Sequence, residues 1–159
     1  MRNLLILVII IFGIVLVKIR FDTSTVTKYP ESFDAVEIKH KIFGLDALND
    51  KEKAIYTIWW LEAEVNNGGF NQYFWNSAGD DAALSLQSLN KIGATKTAEL
   101  LKQAIDVAFS GSLPLTRDDR QKQLEIDEDK KIEALGELDD RFYEYQEDFY
   151  KMLNEFGEK

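Results

Sequence analysis

The chain contains no cysteine and a single histidine, and both scarcities narrow the chemistry open to it. The lack of cysteine excludes disulfides, thiolate catalysis and metal sites with cysteine ligands. The one histidine, His40, excludes a multi-histidine metal site within one chain and leaves one candidate for a histidine general base. No serine or cysteine constellation accompanies His40, so we interpret it as a half-buried residue on the apolar face of a helix.

Positive charge is also scarce, since 19 lysines and arginines stand against 28 aspartates and glutamates, and the net charge is −9. Arg2, Lys18 and Arg20 lie in the first 20 residues, which contain no acid, so the remainder is even more acidic. A surface of this charge repels nucleic acid and anionic lipid and attracts basic partners. We therefore expect a protein partner with a basic surface and no direct nucleic-acid binding.

Long apolar runs are absent except for residues 4–17. A membrane-spanning helix needs about 20 mainly apolar residues. The run extends to Phe21 if the charges of Lys18 and Arg20 reach the membrane interface. We interpret residues 1–21 as an uncleaved, single-pass anchor helix that attaches the protein to the membrane through the apolar run. A cleaved signal peptide and a buried soluble helix are the alternatives.

The sequence around this segment bears on location and domain organisation. The lysines and arginines after the apolar run outnumber Arg2 before it, which favours a cytoplasmic C-terminal domain, whereas a cleaved signal peptide would export that domain. Residues 22–30, with three threonines, a serine and a proline, are typical of a linker. Residues 31–159 are long enough for one hydrophobic core and are predicted to form one domain.

The most informative stretch lies between Trp59 and Asp80 and contains all three tryptophans. The apolar residues before Asn66 follow helical spacing. Asn66-Asn67-Gly68-Gly69 then ends the helix, because glycine reaches the left-handed conformation without a Cβ clash. We predict that Gly68 holds this conformation. Helical spacing resumes after the glycines, so the stretch predicts a helix, a tight corner, a short aromatic helix and a cap.

Helical patterns cover the rest of the domain, and helix is favoured over strand even in the irregular residues 31–48. From Leu135 to Phe156, apolar residues recur at spacings of three and four. This seam predicts a bundle helix or, alternatively, a surface that pairs with a second subunit in a homodimer. The sequence predicts an all-α fold, a compact bundle of about five to seven helices behind the anchor helix. Expected helix caps are Asn49 or Asp50, Asp80, Thr95 and Thr116.

Glu62 and Glu64 are the acids beside the corner and the candidates for acid–base chemistry. Two positions apart on a helix, their carboxylates diverge by about 200°, which argues against a metal ion shared between them. One of them is expected to accept hydrogen bonds from the backbone or from asparagine and glutamine side chains of the corner. The glycine pair is not a phosphate loop, because no Gly-Lys-Ser follows it.

The corner also carries a resemblance to a known family. Its string from Glu64 to Phe70, followed by Gln72-Tyr73-Phe74 and Asn76-Ser77, resembles a bacterial family of small acidic helical domains. That family includes a protein described as a DNA mimic. The resemblance implies an all-helical fold and binding to DNA-binding proteins; it supplies no catalytic residues, and we expect no cofactor. The motif residues are Glu64, Asn66, Asn67, Gly68, Gly69, Phe70, Gln72, Tyr73, Phe74, Asn76 and Ser77.

The acidic C-terminal tract is the best functional feature, since residues 115–159 hold 15 acids and 8 bases. A charge run is usually only a solvated face, but the resemblance raises the alternative that carboxylates at fixed spacings imitate DNA phosphates. We therefore predict a membrane-tethered, non-enzymatic protein-binding domain. The alternatives are a small enzyme that uses one corner glutamate on a polar substrate, and an envelope protein whose acidic surface only keeps it soluble. The candidate interaction face is Asp140, Glu144, Glu147 and Asp148.

Overall fold

The computed structural model of the chain describes residues 33–156 together with Ile9–Ile10 and Gly13–Ile14. Residues 33–156 form seven α-helices and two short 3-10 turns, which confirms the all-α prediction. The turns span Leu45–Ala47 and Ser77–Asp81. The helices are α1 (Phe33–Phe43), α2 (Asp50–Trp75), α3 (Ala82–Ile92), α4 (Thr95–Phe109), α5 (Arg117–Glu125), α6 (Glu128–Tyr143) and α7 (Phe149–Glu155).

The prediction of a single-pass membrane anchor is wrong. Within the described ranges, each helix is either too short or too polar to span a bilayer. Ile9–Ile10 (β1) and Gly13–Ile14 (β2) pair as antiparallel strands where a continuous helix is expected, and the run is rich in β-branched residues, which favour strands. The other residues of the predicted anchor, 1–21 with its membrane contact at 4–17, lie outside the described residues, as does the predicted linker.

The central helix of the bundle is α2, which contacts each of the other six α-helices. It begins at a capping box: the Asn49 side chain accepts a hydrogen bond from Glu52 N (2.9 Å), and the Glu52 carboxylate accepts one from Asn49 N (2.8 Å). This confirms the predicted cap. Because its apolar residues are buried both before and after position 68, both halves of α2 lie in the core. The buried apolar residues of α2 are Ala54, Ile55, Ile58, Leu61, Val65, Phe70, Tyr73 and Phe74.

The apolar seam predicted from Leu135 to Phe156 is divided between two helices. α6 ends at Tyr143 and α7 begins at Phe149, and Tyr145 between them has a positive φ of 46°. Most side chains of the seam pack into the chain's own core, as the bundle-helix alternative predicts, whereas Tyr145 is exposed. The buried members are Leu135, Leu138, Phe142 and Phe149.

The glycine corner is a kink inside α2, at the position where the sequence predicts that a helix ends. Gly69 has φ and ψ of 75° and −178°, a region that is essentially restricted to glycine. Gly68 has a φ of −166°, which is extended backbone open to any residue. The prediction that Gly68 holds the positive φ is therefore wrong by one residue.

Gly69 is also a point of close packing between α2 and α6. A Cβ placed on Gly69 would lie 2.1 Å from Asp139 Oδ2 and 2.8 Å from Asp139 Cγ, so the carboxyl group fills the space that a side chain would need. A Cβ on Gly68 would meet the side chain of Gln72, which could move aside only by losing its hydrogen bond to Glu64. Conformation and packing therefore both require glycine at position 69.

We predict that Gly69→Ala lowers the free energy of unfolding by about 2 kcal/mol or more, because backbone strain in this region costs about 1–3 kcal/mol and Asp139 must also move. Urea denaturation measures the change. Gly136→Ala is the control: it lies inside α6, and apart from its chain neighbours and the backbone of its own helix, no atom of residues 33–156 comes within 4 Å of an added Cβ. The control should be neutral or stabilising by up to about 1 kcal/mol. Equal effects of the two substitutions would contradict the prediction.

Candidate functional site

Asp139, which lies on the neighbouring helix α6, contacts the kink of α2. Its Oδ1 accepts a hydrogen bond from Phe70 N at 2.7 Å, and so satisfies an amide that the change of direction leaves without a helical carbonyl. Burial raises the pKa of the Asp139 carboxyl, the Phe70 N–H lowers it, and the charge of Asp140 raises it further. A partly buried carboxyl group is thus held against the kink.

Glu64 connects the two halves of α2 across the kink. Its Oε2 accepts hydrogen bonds from Gln72 Nε2 (2.7 Å) and Asn76 Nδ2 (2.8 Å). Both donors lie after the glycines and Glu64 lies before them, so the contacts fix the angle of the bend. The corner amides are therefore engaged by a carboxylate of the protein, as the sequence predicts for one of the two glutamates.

Glu62 is held by one tyrosine of the segment that joins α6 to α7 and by one tyrosine of α7. Its side chain is largely buried, and its Oε1 accepts hydrogen bonds from Tyr145 OH (2.8 Å) and from Tyr150 OH. Asn66 Nδ2 donates to Tyr145 OH (2.7 Å), and Tyr143 OH donates to a backbone carbonyl of α2 (2.9 Å). We call Tyr143, Tyr145 and Tyr150 the tyrosine clasp, because together they fasten the C-terminal segment to the first half of α2.

The remaining motif residues lie in the core or at the surface. Phe70, Tyr73 and Phe74 are fully buried. Tyr73 OH donates to a serine of α3 at 2.9 Å, and burial raises the pKa of the Tyr73 phenol well above its ordinary value. Asn67 is exposed, and Ser77 begins the 3-10 turn that follows α2. The motif is therefore mainly a device for bending and anchoring α2.

Arg120 on α5 is an unpredicted residue of this region, with only 1 % of its surface exposed. Its Nε donates to Phe74 O (3.1 Å), and its Nη2 donates to Asn76 O (3.4 Å) and to Asp80 Oδ1. Arg117 Nη2 also donates to Asp80, at 2.6 Å. Burial alone would raise the pKa of Asp80, but the hydrogen bonds from both arginines hold it below its ordinary value. Asp80 is therefore an ion-pair residue and not the expected cap of α3.

The four residues of the predicted acidic face have two kinds of position. Asp140 and Glu144 are exposed. Glu147 accepts hydrogen bonds from two backbone N–H groups in the first turn of α4 (3.0 and 2.9 Å), where the sequence predicts Thr95 as the cap. Asp148 accepts one from a backbone N–H in the first turn of α7 (3.0 Å). Two of the four carboxylates therefore bind the protein's own helix ends.

A row of carboxylates follows the outer side of α6 and ends at the C-cap of that helix, Glu144, whose backbone is still helical. Its members recur at spacings of four, three and four residues, which places them on one helical face, and all of them are exposed. The row extends over about 16 Å at the helical rise of about 1.5 Å per residue. In the described ranges, no three histidine, aspartate or glutamate side chains converge to hold a metal ion. We call this row the acidic stripe: Glu133, Glu137, Asp140 and Glu144.

Comparison with models of known protein families identifies the family of this helical bundle. Residues 46–158 match the family model described as DMP19-like protein, which covers well over half of the chain. The chain belongs to the DMP19-like protein family. In this DMP19-like chain, the matched region includes the kink, the tyrosine clasp and the acidic stripe, whereas α1 (Phe33–Phe43) precedes it. No curated protein and no solved structure matches the sequence.

We predict that Asp139→Asn and Asp139→Ala differ in stability. The alanine leaves Phe70 N–H without its acceptor and should lower the unfolding free energy by about 1–3 kcal/mol, whereas asparagine retains an acceptor. Because folding raises the pKa of Asp139, the wild-type protein loses stability as the pH rises from about 3.8 through the raised value. That component should be missing in Asp139→Asn. Urea denaturation from about pH 4 to about pH 7 tests both expectations. Equal stability of the two variants would exclude the first, and the same pH dependence in the wild type and Asp139→Asn would exclude the second.

We also predict that Asp80→Asn destabilises the protein by about 3 kcal/mol, because it leaves the buried guanidinium of Arg120 without a carboxylate. Asp118→Asn, at an exposed position of α5, is the control and should change stability by less than about 0.5 kcal/mol. Since folding lowers the pKa of Asp80, the advantage of the wild type is complete above about pH 4 and is lost as the pH falls through the lowered value. Chemical denaturation measures this difference, which should exceed that of the control.

Proposed function

We propose that this chain is a non-enzymatic protein-binding domain, and that its acidic stripe binds the basic surface of a DNA-binding protein in place of DNA. The observation that carries the proposal is the outward row of four exposed carboxylates, three on α6 and one at its C-cap, Glu144. The opposite side of the same helix is buried through Leu135, Leu138 and Phe142, so the orientation of the row is fixed by the core. Membership of the DMP19-like family supports a role of this kind.

Electrostatic complementarity supports the choice of partner. Duplex DNA carries about one negative charge per 1.7 Å of helix axis, and proteins that bind it present rows of lysine and arginine. Such a surface is attracted to a rigid row of carboxylates by the same long-range electrostatic force that attracts it to DNA. The stripe is rigid because Asp139, next to Asp140 in sequence but on the inner side, fastens α6 to the kink of α2.

The contacts of the two corner glutamates argue against the enzyme alternative. Glu62 accepts hydrogen bonds from the tyrosine clasp, and Glu64 accepts hydrogen bonds from Gln72 and Asn76. A general base must reach the proton that it removes from a substrate. Both carboxylates instead contact groups that hold α2 in place, so their replacement should act on stability.

We predict that amide replacement of the whole acidic stripe weakens partner binding about tenfold or more, equivalent to about 1.4 kcal/mol, without unfolding the protein. The full-length protein is immobilised and exposed to a lysate of its own cells, and proteins eluted by salt are identified. Affinity is then measured at two salt concentrations. Because the stripe supplies attraction that salt screens, the variant should also show a flatter dependence of affinity on salt.

The control is a second quadruple amide variant with the same change in net charge at exposed acids outside α6: Asp34, Asp46, Asp118 and Glu155. A partner specific for the stripe is retained by the control and lost by the stripe variant. Duplex DNA should compete for the same partner, because both ligands use one basic surface. A partner that binds the protein and DNA together, or that binds both variants equally, would refute the proposal.

A further inference from the structure

A cleft of about 320 Å³ lies away from the acidic stripe, between α1, the first half of α2 and the turn Ser77–Asp81. This volume is at the lower end of the range for small-molecule sites. Its walls include His40, Tyr56, Trp60 and Asp81. None of these four side chains belongs to the kink, the tyrosine clasp or the acidic stripe.

The charge that faces the cleft is negative. Asp80 and Asp81 both line it, and Asp80 is already paired with two arginines, neither of which is among the lining residues. Asp81 precedes α3 but its side chain does not cap that helix. Burial raises the pKa of Asp81, the charge of His40 lowers it and the charge of Asp80 raises it. Asp81 is thus a partly buried carboxyl that a cation in the cleft would stabilise.

Three aromatic rings also line the cleft, beside Thr57, Ser77 and Ala78. The rings of His40 and Tyr56 are 4.3 Å apart between centroids, and Trp60 lines the cleft one helical turn along α2 from Tyr56. Tryptophan and tyrosine faces attract organic cations through the negative potential of their π systems. Burial raises the pKa of Tyr56 and a side-chain hydrogen bond with Trp60 lowers it, so these two side chains contact each other and form one wall of the cleft.

We propose that this cleft binds a small organic cation, an alkylguanidinium or alkylammonium, with Asp81 as its counter-ion and the rings of Tyr56 and Trp60 against its apolar part. A carboxylate supplies the charge and the hydrogen-bond acceptor, and the aromatic walls exclude water from the alkyl chain. Inorganic cations are a poorer match, because such ions need several converging ligands and no three histidine, aspartate or glutamate side chains in the described ranges converge to hold a metal ion.

The test uses two probes of the same shape, n-butylguanidinium and the neutral n-butylurea. Each is titrated into the full-length protein with its tryptophans labelled with nitrogen-15. The three tryptophans, Trp59, Trp60 and Trp75, give three indole N–H resonances, and Trp60→Phe identifies the one at the cleft. We expect butylguanidinium to shift the Trp60 resonance saturably, with a dissociation constant of about 1 mM or lower, and butylurea to bind about tenfold more weakly or less.

Two variants separate the charge of the cleft from its shape. Asp81→Asn removes the charge and should weaken butylguanidinium binding about tenfold, whereas the control Asp46→Asn, at an exposed acid outside the cleft, should leave it unchanged. Ala78→Leu fills the cleft without a change in charge and should abolish binding; this variant decides the matter if Asp81→Asn fails to fold. Equal binding of both probes, equal effects of the two aspartate variants, or saturable binding to Ala78→Leu would overturn the proposal, as would an unshifted Trp60 resonance.

Discussion

The hydrogen bond from Phe70 N–H to Asp139 lies where the central helix changes direction. A bend of this kind leaves amides of the second half without helical acceptors, and a buried N–H without a partner destabilises a fold. Asp139 supplies the acceptor from α6, and Gly69 leaves room for it. The bend of α2 and the packing of α6 therefore depend on the same contact. The other helices that pack on α2 depend on it, because each half of α2 has its own direction.

Several helix ends in this bundle are satisfied by side chains from distant parts of the sequence. Glu147 binds the first turn of α4, and Arg120 binds carbonyl groups at the end of α2. The apolar contacts of the core are not directional, so on their own they permit helices to slide or rotate against each other. Hydrogen bonds between a side chain and a helix end have fixed geometry and select one arrangement. The tyrosine clasp does the same for the C-terminal segment.

The features that were predictable from sequence are those determined by neighbouring residues. The caps Asn49 and Thr116 and the position of the kink follow from local patterns, and the structure confirms them. The sequence predicts the positive φ at Gly68, whereas Gly69 has it, because the approach of Asp139 decides between these two adjacent glycines. The break after Tyr143 was missed because an unbroken apolar spacing conceals it. The cap of α4 was missed for a similar reason, since Glu147 is far from it in sequence.

The use of carboxylates as internal caps has a consequence for how charge in this protein is counted. Asp139, Glu147 and Asp148 contribute to the formal charge as much as the residues of the acidic stripe do, but each is directed at an N–H group of its own chain. The positive end of a helix dipole offsets much of the field of a nearby carboxylate. Composition therefore sets the formal net charge of this protein. The electric potential around it depends on which carboxylates accept hydrogen bonds from backbone N–H groups of the folded chain.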